Sequence, residues 1–116
     1  KSKQIEISRK RMLQDIPKAD VVITNPTHFA VALKYEVGKT SAPKVLAKGK
    51  DLLAQKIKKI AKDNEIPTHE DVELARALYK SCEIGQEIPE QLFKAVAQIL
   101  AYIFKLREEK KRRSII

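Results

Sequence analysis

Four consecutive residues, Asn25-Pro26-Thr27-His28, combine groups that could cleave the chain's own backbone. An asparagine usually deamidates when the backbone nitrogen of the following residue attacks its side-chain amide. A following proline closes that route because it has no N–H. The Asn25 side-chain nitrogen can instead attack its own backbone carbonyl. That attack forms a C-terminal succinimide and releases Pro26 as a free amine, so the peptide bond breaks without an external nucleophile.

This reaction needs a fold to accelerate it, because an amide nitrogen is a poor nucleophile. A near-attack geometry can supply several kcal/mol, and a nearby proton-transfer group is typically worth about 10²–10⁴-fold. His28 is the candidate for proton transfer, since a tight turn can bring it back over Asn25. Backbone N–H groups of the turn could stabilise the developing oxyanion, and Thr27 is expected to shape the turn through its hydroxyl.

The same motif also fits a simpler interpretation, an ordinary Asn-Pro turn with a surface histidine. The letters Pro-Thr-His recur at residues 67–69, where Ile66 precedes the proline and offers no attacking nitrogen. We therefore expect His69 to be a surface or capping residue with no catalytic task. On these four residues alone, both interpretations of Asn25 to His28 stay open.

The residues on either side of the motif predict strands. Residues 19–24 are a short β-branched run that ends at the Asn-Pro turn signal, and residues 29–35 alternate in part. The remaining patterns predict, in order, a strand at 44–47, a helix at 49–64, a short strand at 66–68, a helix that Thr68 caps and that ends near Ser81, and a last helix that Pro89 opens.

Residues 1–16 predict a polar, basic helix with a thin apolar stripe, ended by Pro17. Together the elements predict an α/β fold, a small mixed central sheet surrounded by helices, with an extended N-terminal helix. The domain organisation follows: a basic helical linker at 1–17, a globular domain at 18–106, and a frayed, flexible basic tail at 107–116.

The composition suits one domain of 116 residues, with 43% hydrophobic and 34% charged residues and a net charge of +9. The longest charge-free runs, 21–33 and 95–104, fall short of the roughly 20 apolar residues that cross a bilayer. The basic surplus suits nucleic acid, an anionic membrane surface or acidic proteins. Aromatic residues are few, and neither zinc-finger spacing nor an RNA-recognition signature is present.

Other chemistry is poorly supported. Cys82 is the single cysteine and cannot form an internal disulfide, so a reducing, cytosolic location is the simple expectation. No Ser-His-Asp or Cys-His pattern supports a conventional hydrolase that uses His28. We expect no cofactor and no metal ion.

The motif and its surroundings resemble the self-cleavage region of the FlhB/YscU family, export-gate proteins of the bacterial type III secretion apparatus. The resemblance runs through 25–35, 42–49, 74–79 and 84–89, and it covers roughly residues 18–105. The stretch that begins Ala-Pro-Lys-Val at Ala42 is more similar to the flagellar branch, FlhB, than to the injectisome branch. Residues 1–17 resemble the family's variable linker.

This resemblance implies a domain on the cytoplasmic face of the bacterial inner membrane, preceded in the full-length protein by a membrane-embedded region. It implies one cut per chain, between Asn25 and Pro26, so the activity would be single-turnover autocatalysis. The two pieces would stay associated. In the family, the cut accompanies a switch in export specificity from rod and hook subunits to filament subunits.

By similarity, the substrate-docking surface is a small hydrophobic recess around Ala42, Pro43, Ala97 and Leu100. For Ala97 and Leu100 the alternative is plain core on the apolar face of the last helix. The implied partners are export substrates and other export components, including the hook-length control protein, with no specific nucleic acid. Two alternatives remain, an injectisome homologue and a basic nucleic-acid-binding module.

Overall fold

The computed structural model describes residues 2–26 and 28–115, which fold into helices and strands. The α/β fold predicted from the sequence is confirmed. In chain order the elements are α1 (Ser2–Asp15), a 3₁₀ helix (Ile16–Lys18), β1 (Val21–Asn25), β2 (Phe29–Lys34), β3 (Lys44–Lys50), α2 (Leu52–Asp63), β4 (Thr68–Glu70), α3 (Val72–Ser81), a second 3₁₀ helix (Glu90–Leu92) and α4 (Phe93–Ile115).

The four strands form one mixed sheet in the order β3-β2-β1-β4. Strand β1 pairs with β2 antiparallel and with β4 parallel, so it has a hydrogen-bonded neighbour on each side. All five of its residues are buried, which explains its β-branched composition. The strand that leads into the Asn-Pro turn is therefore an interior strand of the sheet.

Helices cover both faces of the sheet because side chains alternate along each strand. On one face, Val21 and Ile23 pack with α3 and α4; on the other, Val22 packs with α1 and α2. Gly49 lets α2 approach β3 closely, since a Cβ at that position would lie 2.7 Å from Leu53 Cγ. This close approach sets where α2 begins, next to the turn between β1 and β2.

The predicted N-cap at Thr68 is wrong, because Thr68 starts β4 and pairs with Val22. The N-cap of α3 is Asp71, whose Oδ1 accepts a hydrogen bond from the Leu74 N–H at 3.1 Å. The Asp71 N–H in turn donates to the Thr24 carbonyl at 2.9 Å. Pairing with a distant strand has overridden a local capping signal.

Other boundaries also differ from the prediction, among them that of β4, which spans Thr68–Glu70 where a strand was predicted at 66–68. Strand β3 continues to Lys50, so α2 begins at Leu52 instead of residue 49. Helix α4 continues through 107–115, where the sequence predicted a frayed tail. Glutamates there precede arginines by four residues, at 108 and 112 and at 109 and 113, a spacing that supports a helix. Within the described residues, no helix combines the length and the apolar content needed to cross a membrane.

Candidate functional site

The predicted tight turn joins the two middle strands of the sheet. Asn25 is the last residue of β1 and pairs with Phe29, the first residue of β2. The His28 N–H donates a hydrogen bond to the Asn25 carbonyl oxygen at 3.0 Å, which closes a four-residue turn. Thr27 lies outside the described residues, so the expected role of its hydroxyl is untested.

Asn25 is held firmly by its surroundings. It is only 8% exposed, and its neighbour Thr24 accepts the hydrogen bond from Asp71 at the end of β4. The backbone before the Asn25–Pro26 bond is thus fixed by β2 on one side and by β4 on the other. The carbonyl that the side-chain amide would attack belongs to this fixed backbone.

His28 has different surroundings for its backbone and its side chain. Its carbonyl accepts a hydrogen bond from the Asp51 N–H at 2.8 Å. Its imidazole Nδ1 lies 3.8 Å from Asp51 Oδ1, and the two side chains are 64% and 59% exposed. The backbone of His28 therefore contacts Asn25, while the imidazole faces Asp51 at the surface.

Asp51 is unusual in its own conformation. Its φ of 54° lies in the left-handed region, which residues other than glycine rarely occupy. The hydrogen bond to His28 and the start of α2 immediately after it hold this conformation in place. Asp51 thereby links the turn to the close approach of β3 and α2.

A second group of side chains, missed in the sequence, supports the first residue of β2. The rings of Phe29 and Tyr79 lie 4.6 Å apart. Lys48 Nζ sits 4.9 Å from the centre of the Tyr79 ring and donates to the Tyr79 carbonyl at 3.0 Å. The Lys48 side chain is only 16% exposed, although in the sequence it falls within a run of lysines typical of a solvated face.

All four residues predicted for the docking surface line one cavity of about 280 Å³. Ala42 and Leu100 are buried, Pro43 is half-buried and Ala97 is exposed. The other lining residues are Tyr35, Ser41, Phe93, Ala101 and Phe104, so the walls are almost wholly apolar. This cavity is called the apolar recess below. Leu100 belongs both to the recess and to the core, so the two interpretations of that residue are compatible.

Strand β2 connects the turn to the recess. It begins at Phe29 beside the turn and ends at Lys34, next to Tyr35 in the wall of the recess. At about 3.3 Å per residue, the two sites lie roughly 20 Å apart along the strand.

His69 and Cys82 lie outside both the turn and the lining of the recess. His69 is exposed on β4, in agreement with the expected surface position. Burial raises the pKa of the Cys82 thiol, an effect that nearby Lys48 opposes and that Glu83 reinforces. A buried thiol with a raised pKa is a poor nucleophile, which agrees with the absence of a cysteine-hydrolase motif.

The mixed four-stranded sheet with helices on both faces is the fold of the solved FlhB cytoplasmic domain and EscU C-terminal domain, which are components of type III protein export. The chain belongs to the FlhB, HrpN, YscU and SpaS family, whose model matches residues 1–103. The resemblance recognised in the sequence is confirmed.

Two similar curated proteins are flagellar. The chain is 52% identical over 109 residues to the flagellar biosynthetic protein FlhB of Bacillus subtilis, covering 94% of this chain and 30% of that protein. It is 54% identical over 100 residues to FlhB of Escherichia coli, covering 86% of this chain and 26% of that protein. The chain thus spans less than a third of the length of these curated relatives.

Solved structures share the fold. The crystal structure of the cytoplasmic domain of FlhB from Shewanella putrefaciens matches with a TM-score of 0.83 and 47% identity, over 90% of this chain and 81% of that one. A mutated EscU C-terminal domain matches with a TM-score of 0.76 and 41% identity, over 79% of this chain and 92% of that one. EscU variants were crystallised with alanine in place of an asparagine and in place of the proline that follows it.

Proposed function

We propose that this chain is the cytoplasmic domain of a flagellar type III export component that cleaves itself once between Asn25 and Pro26 and takes part in recognising export substrates. In the full-length protein it would lie on the cytoplasmic face of the bacterial inner membrane. The observation that carries the proposal is the hydrogen bond from the His28 N–H to the Asn25 carbonyl oxygen, 3.0 Å long.

This hydrogen bond supports the cyclisation because it points at the oxygen that gains charge. When Asn25 Nδ2 attacks the Asn25 carbonyl carbon, negative charge develops on the carbonyl oxygen, and a fixed N–H donor stabilises it. The attacking nitrogen loses a proton and the C–N bond to Pro26 breaks. The nitrogen of Pro26 takes up a proton and leaves as a secondary amine, and Asn25 is left as a succinimide.

The exposure of the His28 imidazole leaves two routes for the proton that Asn25 Nδ2 loses. The proton can pass to the imidazole, which faces Asp51, or directly to bulk water. The first route makes His28 a general base, and the second leaves it the backbone role of closing the turn. These routes differ in their dependence on pH.

The sheet supports continued association of fragments 1–25 and 26–116. After a cut, β1 would remain hydrogen-bonded to β2 on one side and to β4 on the other. Its valine and isoleucine side chains would stay buried on both faces of the sheet. Separation of the fragments would expose these side chains and break both ladders.

The apolar recess is the proposed contact for export substrates. Its alanine, proline, leucine and phenylalanine walls suit an apolar side chain of a partner segment. The family resemblance adds the hook-length control protein as a partner and the change from rod and hook to filament subunits as the outcome. The turn and the recess share strand β2, which supports a role for both in one switch.

Intact-mass spectrometry of the purified protein tests the cut. We expect wild-type protein to give fragments 1–25 and 26–116, which co-purify in native buffer and separate in denaturant. Asn25→Ala removes the attacking nitrogen and should give one uncut mass with an unchanged circular dichroism spectrum. Asn64→Ala is the matched control, because Asn64 is an exposed asparagine at the end of α2 that no proline follows. A folded Asn25→Ala protein that is still cut at the same bond would refute the mechanism.

A further inference from the structure

A buried carboxylate stands immediately before β1. Asp20 is 5% exposed, and its side chain accepts hydrogen bonds from two distant parts of the chain. Its Oδ2 accepts from the Tyr35 N–H at 2.7 Å, and its Oδ1 accepts from Arg107 Nη1 at 2.9 Å. Arg107 Nη2 also lies 3.3 Å from the Asp20 backbone oxygen. Asp20 is therefore the meeting point of β1, the end of β2 and the second half of α4.

Both partners of Asp20 are attached to a wall of the apolar recess. Tyr35 lines the recess itself. The Arg107 guanidinium lies 5.3 Å from the centre of the Phe104 ring, and Phe104 lines the recess as well. Tyr35 and Phe104 are two of the three aromatic residues in the wall. The Asp20 side chain thus fixes two walls that belong to different elements.

Such a pair contributes more to geometry than to stability, since taking two charges out of water offsets much of their attraction. The bonds to Tyr35 and Arg107 occupy both carboxylate oxygens and leave little freedom for either partner. Asp15 and Lys18 offer a contrast, because that pair is 3.4 Å long and exposed at both ends. Neither Asp15 nor Lys18 is among the residues that line the recess.

We infer that Asp20 is a positioning residue for the apolar recess, where it sets the distance between the Tyr35 and Phe104 walls. The inference rests on the proposed function only for the use of the recess, not for its shape. Asp20 precedes the Asn25–Pro26 bond, whereas Tyr35 and Arg107 follow it. The proposed cut would therefore place the support of the recess and its walls on separate chains, so the fragment 1–25 would shape the docking surface.

Alanine methyl resonances test this inference directly. Protein labelled with ¹³C at alanine methyl groups is prepared in the Asn25→Ala background, so that cleavage has no part in the result. Ala97 and Ala101 report on the recess, and Ala54 and Ala61 report on the opposite core. In Asp20→Asn, the amide places an NH₂ donor against the donor of Tyr35 or of Arg107. We expect the Ala97 and Ala101 methyl shifts to move, through altered ring currents, while those of Ala54 and Ala61 stay unchanged.

Asp15→Asn is the matched control and should leave all four methyl shifts as they are. Arg107→Gln provides a second variant if Asp20→Asn fails to fold, because the Arg107 side chain is 47% exposed and easily replaced. It should move the same recess methyls, and the double variant should move them by less than the sum of the two single changes. Unmoved recess methyls in folded Asp20→Asn, or in Arg107→Gln, would overturn the inference. The assay requires neither a bound substrate nor cleavage, so its result can be interpreted even if the proposed function is wrong.

Discussion

The turn and the apolar recess are built by opposite means, although strand β2 joins them. The turn consists of four consecutive residues, and backbone hydrogen bonds from His28, Asp51 and Asp71 hold it. The recess draws on side chains from the end of β2, the loop before β3 and α4, with the Asp20–Arg107 pair beneath them. The proposed cleavage at the turn would therefore depend on backbone geometry, whereas the proposed binding at the recess would depend on how α4 packs.

After Asn25→Ala, which should abolish cleavage, the largest effect that separates the two sites is expected from Pro26→Ala. Alanine restores a backbone N–H and frees φ, so the near-attack geometry degrades and cleavage should slow by about 10²-fold or more. Apolar binding at the recess should not change. The rate is measured from fragment masses over time after refolding. Pro67→Ala, in the second Pro-Thr-His, should cleave at the wild-type rate, and equal rates for both variants would count against control by the turn.

A smaller effect is expected from the His28 side chain. His28→Ala retains the N–H that bonds to Asn25, so cleavage should slow by less than about 10²-fold, the lower end for a general base. A loss of rate in His28→Ala would support proton transfer to the imidazole. His69→Ala should leave the rate unchanged. A His28→Ala rate equal to that of wild type would assign His28 to turn closure alone.

The recess is tested by Ala97→Asp, which places a carboxylate in an apolar cavity. Burying that charge against a bound apolar side chain is unfavourable, and binding of an export-substrate peptide should weaken by about tenfold or more. Isothermal titration calorimetry measures the affinity, and intact mass should show normal cleavage. Gln98→Asp is the control, because Gln98 is exposed on the same helix and lines a different groove. Equal weakening by both variants would point to a general charge effect.

The smallest effect concerns Cys82, which belongs to neither site. Burial raises the pKa of its thiol in the folded state, so the protonated thiol favours folding. That contribution is complete below the thiol pKa of the unfolded chain and is lost as pH rises through the folded-state value. The free energy of unfolding should therefore decline more steeply between about pH 8 and 10 in wild-type protein than in Cys82→Ala. Parallel declines in urea denaturation would show that the thiol does not contribute.

The contrast between the sites also explains what the sequence could reveal. The turn was predictable because the adjacent Asn25 and Pro26 are a turn signal between two strand patterns. The strands beside it were predictable from β-branched runs. A short strand was predicted at 66–68, but the bounds of β4, Thr68–Glu70, and its effect on the N-cap were not, because the parallel pairing of Thr68 with Val22 depends on tertiary structure.

The recess was predictable only in part. Its four expected residues came from a family resemblance, since Ala97 and Leu100 have a spacing that fits plain helical core equally well. The Asp20–Arg107 pair spans 87 positions, and nothing in local pattern connects the two residues. Lys48 shows the same limit, because a lysine beneath an aromatic ring looks like any surface lysine in the sequence.

The interior position of β1 also determines how the molecule could return from the unfolded state. An intact chain folds in a unimolecular step. A chain cut after β1 would have to bind a separate 25-residue fragment and insert its strand into the middle of the sheet, so its refolding would be bimolecular and its melting temperature would depend on concentration. Each molecule would need to fold before cutting, and dilution after unfolding would favour separate fragments. The cut, folded domain would therefore persist only because folding preceded cleavage.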